Sequence, residues 1–194
     1  MLSEPLSVTM DVVRALDALK APYLVGGSMA SSLYGVVRAT MDTDLVADLD
    51  MHHVRPLVDL LRGDFYLSQE AIEWAVRLRT HFSVIHLEAI YKVDVFVSPR
   101  RPFEQARFQR RLLQVVSTEP QCSMYVSTVE DTIIAKLEWY QRGGQVSERQ
   151  WKDVLGMLKV QRNSLDREHL RRWASALQLR ELLEKAFEES GLDE

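Results

Sequence analysis

From about residue 127 onward the chain carries only one kind of periodicity. Apolar residues recur there at helical spacing over 128–142, 147–159, 165–175 and 177–189, with breaks at "RGG" and "QRNS". Before residue 127, helical stretches alternate with short runs rich in β-branched and aromatic residues. That asymmetry predicts an α/β domain over 1–126 and a helical domain over 127–194. The connections in the first half are both hairpin-like and crossover-like, so the expected sheet is mixed and flanked by helices.

The first half begins with an amphipathic helix over 7–20, carrying Val8, Val12, Val13, Leu16 and Leu19. "YLV" is a short strand, and Ser28 to Tyr34 a short helix capped by Ser28 or a neighbour. Thr43 to Leu49 is a strand. "HHVRPLVDLL" is a helix that must hold Pro56 in its first turn. Ser68 caps a helix running to Arg79, and "HFSVIHLEAIYKVDVFVS" contains two strands. A basic helix opens with Pro102, followed by short strands in "LLQVVS" and "SMYVS". Trp74, Trp139, Trp151 and Trp173 fall on helical patterns and read as core or domain-interface residues.

The bulk properties narrow the class. Hydrophobic residues make up 46% and charged residues 27% of the 194, the values of an ordinary globular chain. One cysteine, Cys122, rules out an intrachain disulfide and a multi-cysteine metal site, which suits a reducing cytoplasm. The N-terminal stretch does not read as a signal peptide, and no window is apolar enough to span a bilayer. The net charge of −4 gives no overall field toward nucleic acid, although a local basic patch remains compatible with it.

Three features carry chemistry. In "RATMDTDLV", Asp42 and Asp44 start a strand two residues apart, so both carboxylates face one side, with Cα atoms about 6.6 Å apart. Such a pair can converge on metal ions about 3.5–4 Å apart, and equally suits a solvated strand end. Asp48 and Asp50 share the parity, but Asp48 lies about 13 Å from Asp44 and cannot join the same site. The second feature is Asp94, set in the apolar run "YKVDVFV". It is either a carboxylate met by a cation or an edge-strand residue facing water. The third is "GGS". It fits neither the dinucleotide-binding, Walker nor nucleophile-elbow patterns, and leaves a strand–turn–helix junction whose amides and Ser28 hydroxyl can bind a phosphate.

Taken together, Gly27 and Ser28, then Asp42-x-Asp44, then Asp94 on a later strand resemble the nucleotidyltransferase superfamily of the DNA polymerase β type. The resemblance spans residues 23–97. In the helical half, "EDTIIAKLEWYQRGGQVSERQWKDVLGML" looks like bacterial nucleotidyltransferase-like proteins related to the AbiEii and MenT toxins, with Lys136, Arg149, Lys152 and Asp153 matching their Lys and Arg…Lys-Asp positions. A further acid often follows one turn later in these relatives. Here that position is Gly156.

The resemblance implies a cytoplasmic nucleotidyltransferase, with Mg²⁺ or Mn²⁺ held by Asp42, Asp44 and Asp94. Asp94 takes the acceptor's proton, and pyrophosphate leaves. Gly26, Gly27, Ser28, Arg38, Lys136 and Asp153 are the expected contacts to the nucleoside triphosphate, in a cleft between the two domains. Lys136 has support of its own, because it falls on the apolar face of its helix, where a lysine is rarely unpaired. Asp153 lies away from the apolar face of its helix and reads also as a surface acid. The acceptor is either tRNA, as in a toxin with a partner antitoxin, or a small antibiotic-like molecule. Arg100, Arg101, Arg107, Arg110 and Arg111 are the residues expected to meet RNA, and the same run reads as a solvated charged face. A non-catalytic nucleotide-sensing or partner-binding module on the same fold is the third reading.

Overall fold

The alternation in "DTDLVA" is realised as strand β2, Asp42–Ala47. Thr43, Leu45 and Ala47 are buried, while Asp42, Asp44 and Val46 are half-buried on the other face. This strand comes from a computed structural model that describes residues 3–35 and 42–192. The residues divide into two compact units, 3–26 with 42–127 and 27–35 with 128–192.

In the first unit, β2 lies inside a mixed sheet with β1 (Tyr23–Val25), β3 (Phe65–Tyr66), β4 (His81–His86), β5 (Lys92–Val97), β6 (Leu112–Thr118) and β7 (Gln121–Val126). The strand order is β3-β4-β5-β2-β1-β7-β6. The β2–β5 and β1–β7 pairs are parallel and the others antiparallel. Helices α1 (Glu4–Ala18), α3 (Met51–Leu61), α4 (Gln69–Leu78) and α5 (Pro102–Arg110) complete the unit. α1 packs against β2, β5 and β7, burying Val8, Val12, Val13 and Leu16. Each such side chain contributes about 1.5–3 kcal/mol.

The buried side of β2 is also fixed by hydroxyls. Thr9 Oγ1 donates to the Pro5 carbonyl and lies 2.8 Å from Thr43 Oγ1. Thr43 Oγ1 in turn lies 3.1 Å from the Tyr91 hydroxyl. With Thr43 held below, the pleat presents Asp42 and Asp44 on the opposite face.

Two expectations need correction here. Pro56 sits in the interior of α3, not in its first turn, because Asp50 caps the helix early: its backbone N–H donates to His53 Nδ1 at 3.0 Å. Trp74 and Trp139 are not core residues, being 62% and 50% exposed. The Ser68 cap is present, its hydroxyl accepting from the Ala71 N–H at 3.2 Å.

Tyr23 links this core to pH. It is 2% exposed, and burial pushes its phenol up to about 12. The folded chain therefore keeps this proton to a higher pH than the unfolded chain, which loses it near pH 10. Stability from Tyr23 is complete below about pH 10 and is lost as the pH rises toward 12. Tyr34 is shifted to about 12 as well, also by burial. Denaturant unfolding at pH 8 and pH 11 should show Tyr23→Phe losing about 1.4 kcal/mol less than the parent over that interval. Equal losses would remove Tyr23 from the alkaline transition.

The second unit contains α2 (Gly27–Tyr34), α6 (Val129–Arg142), α7 (Glu148–Gln161), α8 (Arg167–Ala176) and α9 (Arg180–Ser190). The expected division after residue 126 set α2 with the sheet, whereas by packing it groups with these helices. Its buried Ala30 and Ser31 are small enough for close approach to α6 and α7. A Cβ on Gly35 would come within 3.1 Å of the Met157 backbone, a contact tight enough that a larger residue would push the two segments apart by a few tenths of an ångström. The stripe Leu179, Leu182, Leu183, Ala186 and Phe187 is buried within the chain itself, with α9 packed on α7 and α8. Buried His169 Nε2 lies 2.7 Å from Asp131 Oδ1 and ties α8 to α6. Among the described residues, no helix is long and apolar enough to cross a membrane.

Candidate active site

The parallel pairing of β2 with β5 sets Asp44 directly opposite Asp94 and Asp42 opposite Lys92. These residues share one face of the sheet, while Leu45, Val93 and Val95 fill the core. β5 is an interior strand, flanked by β4 and β2, so Asp94 is not an edge residue facing water. It is 8% exposed, and both of its carboxylate oxygens are engaged. Ser83, its neighbour on β4, donates to Oδ1 at 2.5 Å. Lys92 Nζ donates to Oδ2 at 2.6 Å and lies 3.8 Å from Asp42 Oδ2. The Asp94 hydrogen bond, opposed by some burial and helped by the charges of Asp42 and Asp44, holds the Lys92 ammonium above the usual lysine range.

The strand ends are tied down separately. Gly26 N–H donates to the Asp44 carbonyl at 2.9 Å, joining the end of β1 to the acidic strand. Past β2, Asp48 and Asp50 meet Arg79 and Arg100, with Arg100 Nε 2.7 Å from Asp48 and its Nη2 2.7 Å from Asp50. The Arg100 hydrogen bond holds the Asp50 carboxyl below the usual range. This network accounts for the two acids that spacing excluded from the site.

In the second unit, α2 opens at Gly27, whose φ of 53° lies in the left-handed region that favours glycine. Ser28 is buried, and Arg149 on α7 donates to its hydroxyl through Nη2 at 3.0 Å. Lys136 on α6 is 2.9 Å from Asp153 Oδ2 on α7, and both side chains are about nine-tenths buried. Asp153 is thus not a surface acid; it is the partner that makes a lysine on the apolar face of α6 tolerable.

The five arginines of the basic segment are largely committed within the chain. Arg100 pairs with Asp48 and Asp50, and Arg101 with Glu104. Arg107 is buried against Phe103. Arg111 stacks 4.4 Å over Tyr125 and donates to the Phe108 carbonyl, and Arg110 is half-buried.

No protein-family model matches the sequence, and no curated protein is significantly similar to it. Among solved structures, an antigenic nucleotidyltransferase-like protein from Paracoccidioides brasiliensis superposes with a TM-score of 0.55 at 21% identity, over 96% of this chain and 93% of its own. ANT(2'')-Ia in complex with adenylyl-2''-tobramycin gives a TM-score of 0.58 at 13% identity, over 92% of this chain and 99% of its own. The chain has a nucleotidyltransferase fold.

On the nucleotidyltransferase fold, Asp42, Asp44 and Asp94 share one face of two neighbouring strands. Among the described residues, no group of three or more His, Cys, Asp and Glu side chains is drawn together as a ready metal cage. At Asp94 the Lys92 ammonium donates to Oδ2 at 2.6 Å. The donors nevertheless suit a hard divalent cation, being carboxylate oxygens, and the face already holds one cation against two of them. Arg38 lies outside the described residues. Lys92 and Ser83 were missed in the sequence, although the parity of "KVD" sets Lys92 beside Asp94. Arg149 entered only through the resemblance, without a role.

Proposed function

We propose that this chain is a metal-dependent nucleotidyltransferase that moves a nucleoside monophosphate from an NTP to an acceptor hydroxyl. The observation that carries the reading is the β2–β5 register, which gives Asp44 and Asp94 as direct neighbours with Asp42 on the same face. The nucleotidyltransferase fold of the neighbours supports it.

Asp42, Asp44 and Asp94 are the residues that would hold Mg²⁺ or Mn²⁺. Such an ion, when bound, supplies charge neutralisation at the transferring phosphate. Asp94 accepts the proton of the acceptor hydroxyl as its oxygen attacks the α-phosphorus. The bond to the pyrophosphate oxygen breaks as the new one forms, and pyrophosphate carries the electron pair away. The Gly26–Gly27 turn and Ser28, with Arg149 on its hydroxyl, bind the outgoing phosphates through backbone amides and charge-assisted hydrogen bonds. Lys136, positioned by Asp153, adds positive charge for the same anion, and Arg38 is assigned a phosphate contact on sequence alone.

A small hydroxyl-bearing acceptor is favoured over tRNA by the intramolecular engagement of Arg100, Arg101, Arg107 and Arg111. An RNA surface needs cations free to meet phosphates. The kinship of fold with ANT(2'')-Ia, whose complex contains adenylyl-tobramycin, points the same way. The test is incubation with each labelled NTP and Mg²⁺, offering total RNA in one arm and an aminoglycoside panel in the other. Label on a small molecule with pyrophosphate release is expected. Label on tRNA would restore a toxin-like role, with an antitoxin as its partner. No transfer in either arm, with NTP binding retained, would leave a nucleotide-sensing module.

A further inference from the structure

We propose that Lys92 is a built-in counter-cation of the acidic face, so that a divalent ion enters by displacing its ammonium from Asp94. This rests on the metal-binding reading of Asp42, Asp44 and Asp94. The pairing geometry carries it. Lys92 stands opposite Asp42 across the β2–β5 pair and two residues before Asp94, so strand parity sets all three on one face. Its Nζ is 2.6 Å from Asp94 Oδ2 and 3.8 Å from Asp42 Oδ2, bridging carboxylates on two strands.

Without this lysine, neighbouring strands would hold three like charges on one face, a destabilising arrangement. Lys92 relieves it while no ion is bound. An ion coordinated by Asp94 Oδ2 would share that oxygen with an ammonium 2.6 Å from it, and the two cations repel. Exchange is feasible on one side only. Asp94 is buried on an interior strand and cannot swing away, whereas the Lys92 side chain is 42% exposed on a flexible four-carbon stem. The lysine leaves and the carboxylate stays. Lys92 is therefore a positioning residue: it keeps Asp94 aimed at the ion's place and lowers the affinity of the bare carboxylates.

The experiment is Mn²⁺ binding to the full chain without nucleotide, by titration calorimetry and by the loss of free Mn²⁺ signal in electron paramagnetic resonance. Lys92→Met should bind Mn²⁺ about threefold to fivefold more tightly than the parent, the upper part of the range of a partly exposed ion pair. Lys92→Arg, which keeps the charge, should stay within about twofold of the parent. Asp44→Asn should abolish binding in the parent and Lys92→Met backgrounds alike. Binding seen only once Lys92 is neutralised would support displacement. Asp44-dependent binding that is equal or weaker in Lys92→Met overturns the role of Lys92 and leaves the proposed function standing. No Asp44-dependent binding in either background overturns both. Should Lys92→Met fail to fold, Lys92→Gln removes the charge but keeps a donor to Asp94, and must give the same ranking. A purely structural ion pair would alter melting without tightening Mn²⁺.

Discussion

Asp44→Ala is expected to lower nucleotidyl transfer by about 10³-fold or more, the several kcal/mol that a metal ligand contributes at a transferring phosphate. The fold should stand. Asp44 is half-buried on the acidic face, and the bond that ties β2 to the Gly26 turn comes from its backbone carbonyl, which alanine keeps. Removing one of the three carboxylates that share this face also reduces their mutual repulsion, so the melting temperature should hold or rise slightly. Asp48→Ala makes the opposite comparison on the same parity. Asp48 pairs with Arg79 and Arg100, so its loss should cost about 0.5–1 kcal/mol of stability without ending transfer. Product formation from labelled NTP, read beside thermal melts of both variants, checks the pair of outcomes. Transfer retained by folded Asp44→Ala would sink the assignment. An acid whose removal costs activity but not stability is the signature of a site kept for chemistry.

The elements legible in the sequence are those encoded locally. Ser68 caps α4 by accepting from the Ala71 N–H, as its place before the helical run predicts, and such a cue needs no knowledge of the fold. The alternation in "DTDLVA" marked the acidic face correctly, because pleat parity is a property of one strand. Partners across the sheet were another matter. Nothing local says that Lys92 meets Asp42, because that pairing depends on the β2–β5 register over fifty residues of chain. The same limit hid the Asp48–Asp50–Arg79–Arg100 network, which gathers three separate segments and uses Arg100, one of the arginines expected to meet RNA. The two-residue strand Phe65–Tyr66 is too short to carry a period at all. Trp74 and Trp139 show the converse error: size and helical spacing suggest burial, but the faces they occupy are half exposed or more.

Lys136→Met is expected to destabilise the chain by about 3–5 kcal/mol, since it leaves the buried Asp153 carboxylate without its ammonium. A surface lysine would cost almost nothing, so the magnitude alone separates the two environments. The variant also loses transfer, but that loss is ambiguous while the fold is compromised. Combining it with Asp153→Leu resolves the ambiguity. Replacing a buried ion pair by apolar side chains of similar volume is commonly neutral or stabilising, so the double variant should recover most of the lost stability in denaturant unfolding. Transfer should not recover with it, because the ammonium proposed to neutralise the phosphates is still missing. A double variant that is both stable and active would reduce the Lys136–Asp153 pair to a strut between α6 and α7, and leave Ser28 and Arg149 as the phosphate contacts of this unit. A double variant that is stable and inactive, yet binds Mn²⁺ like the parent, would separate the cation that meets the nucleotide from the carboxylates that hold the metal.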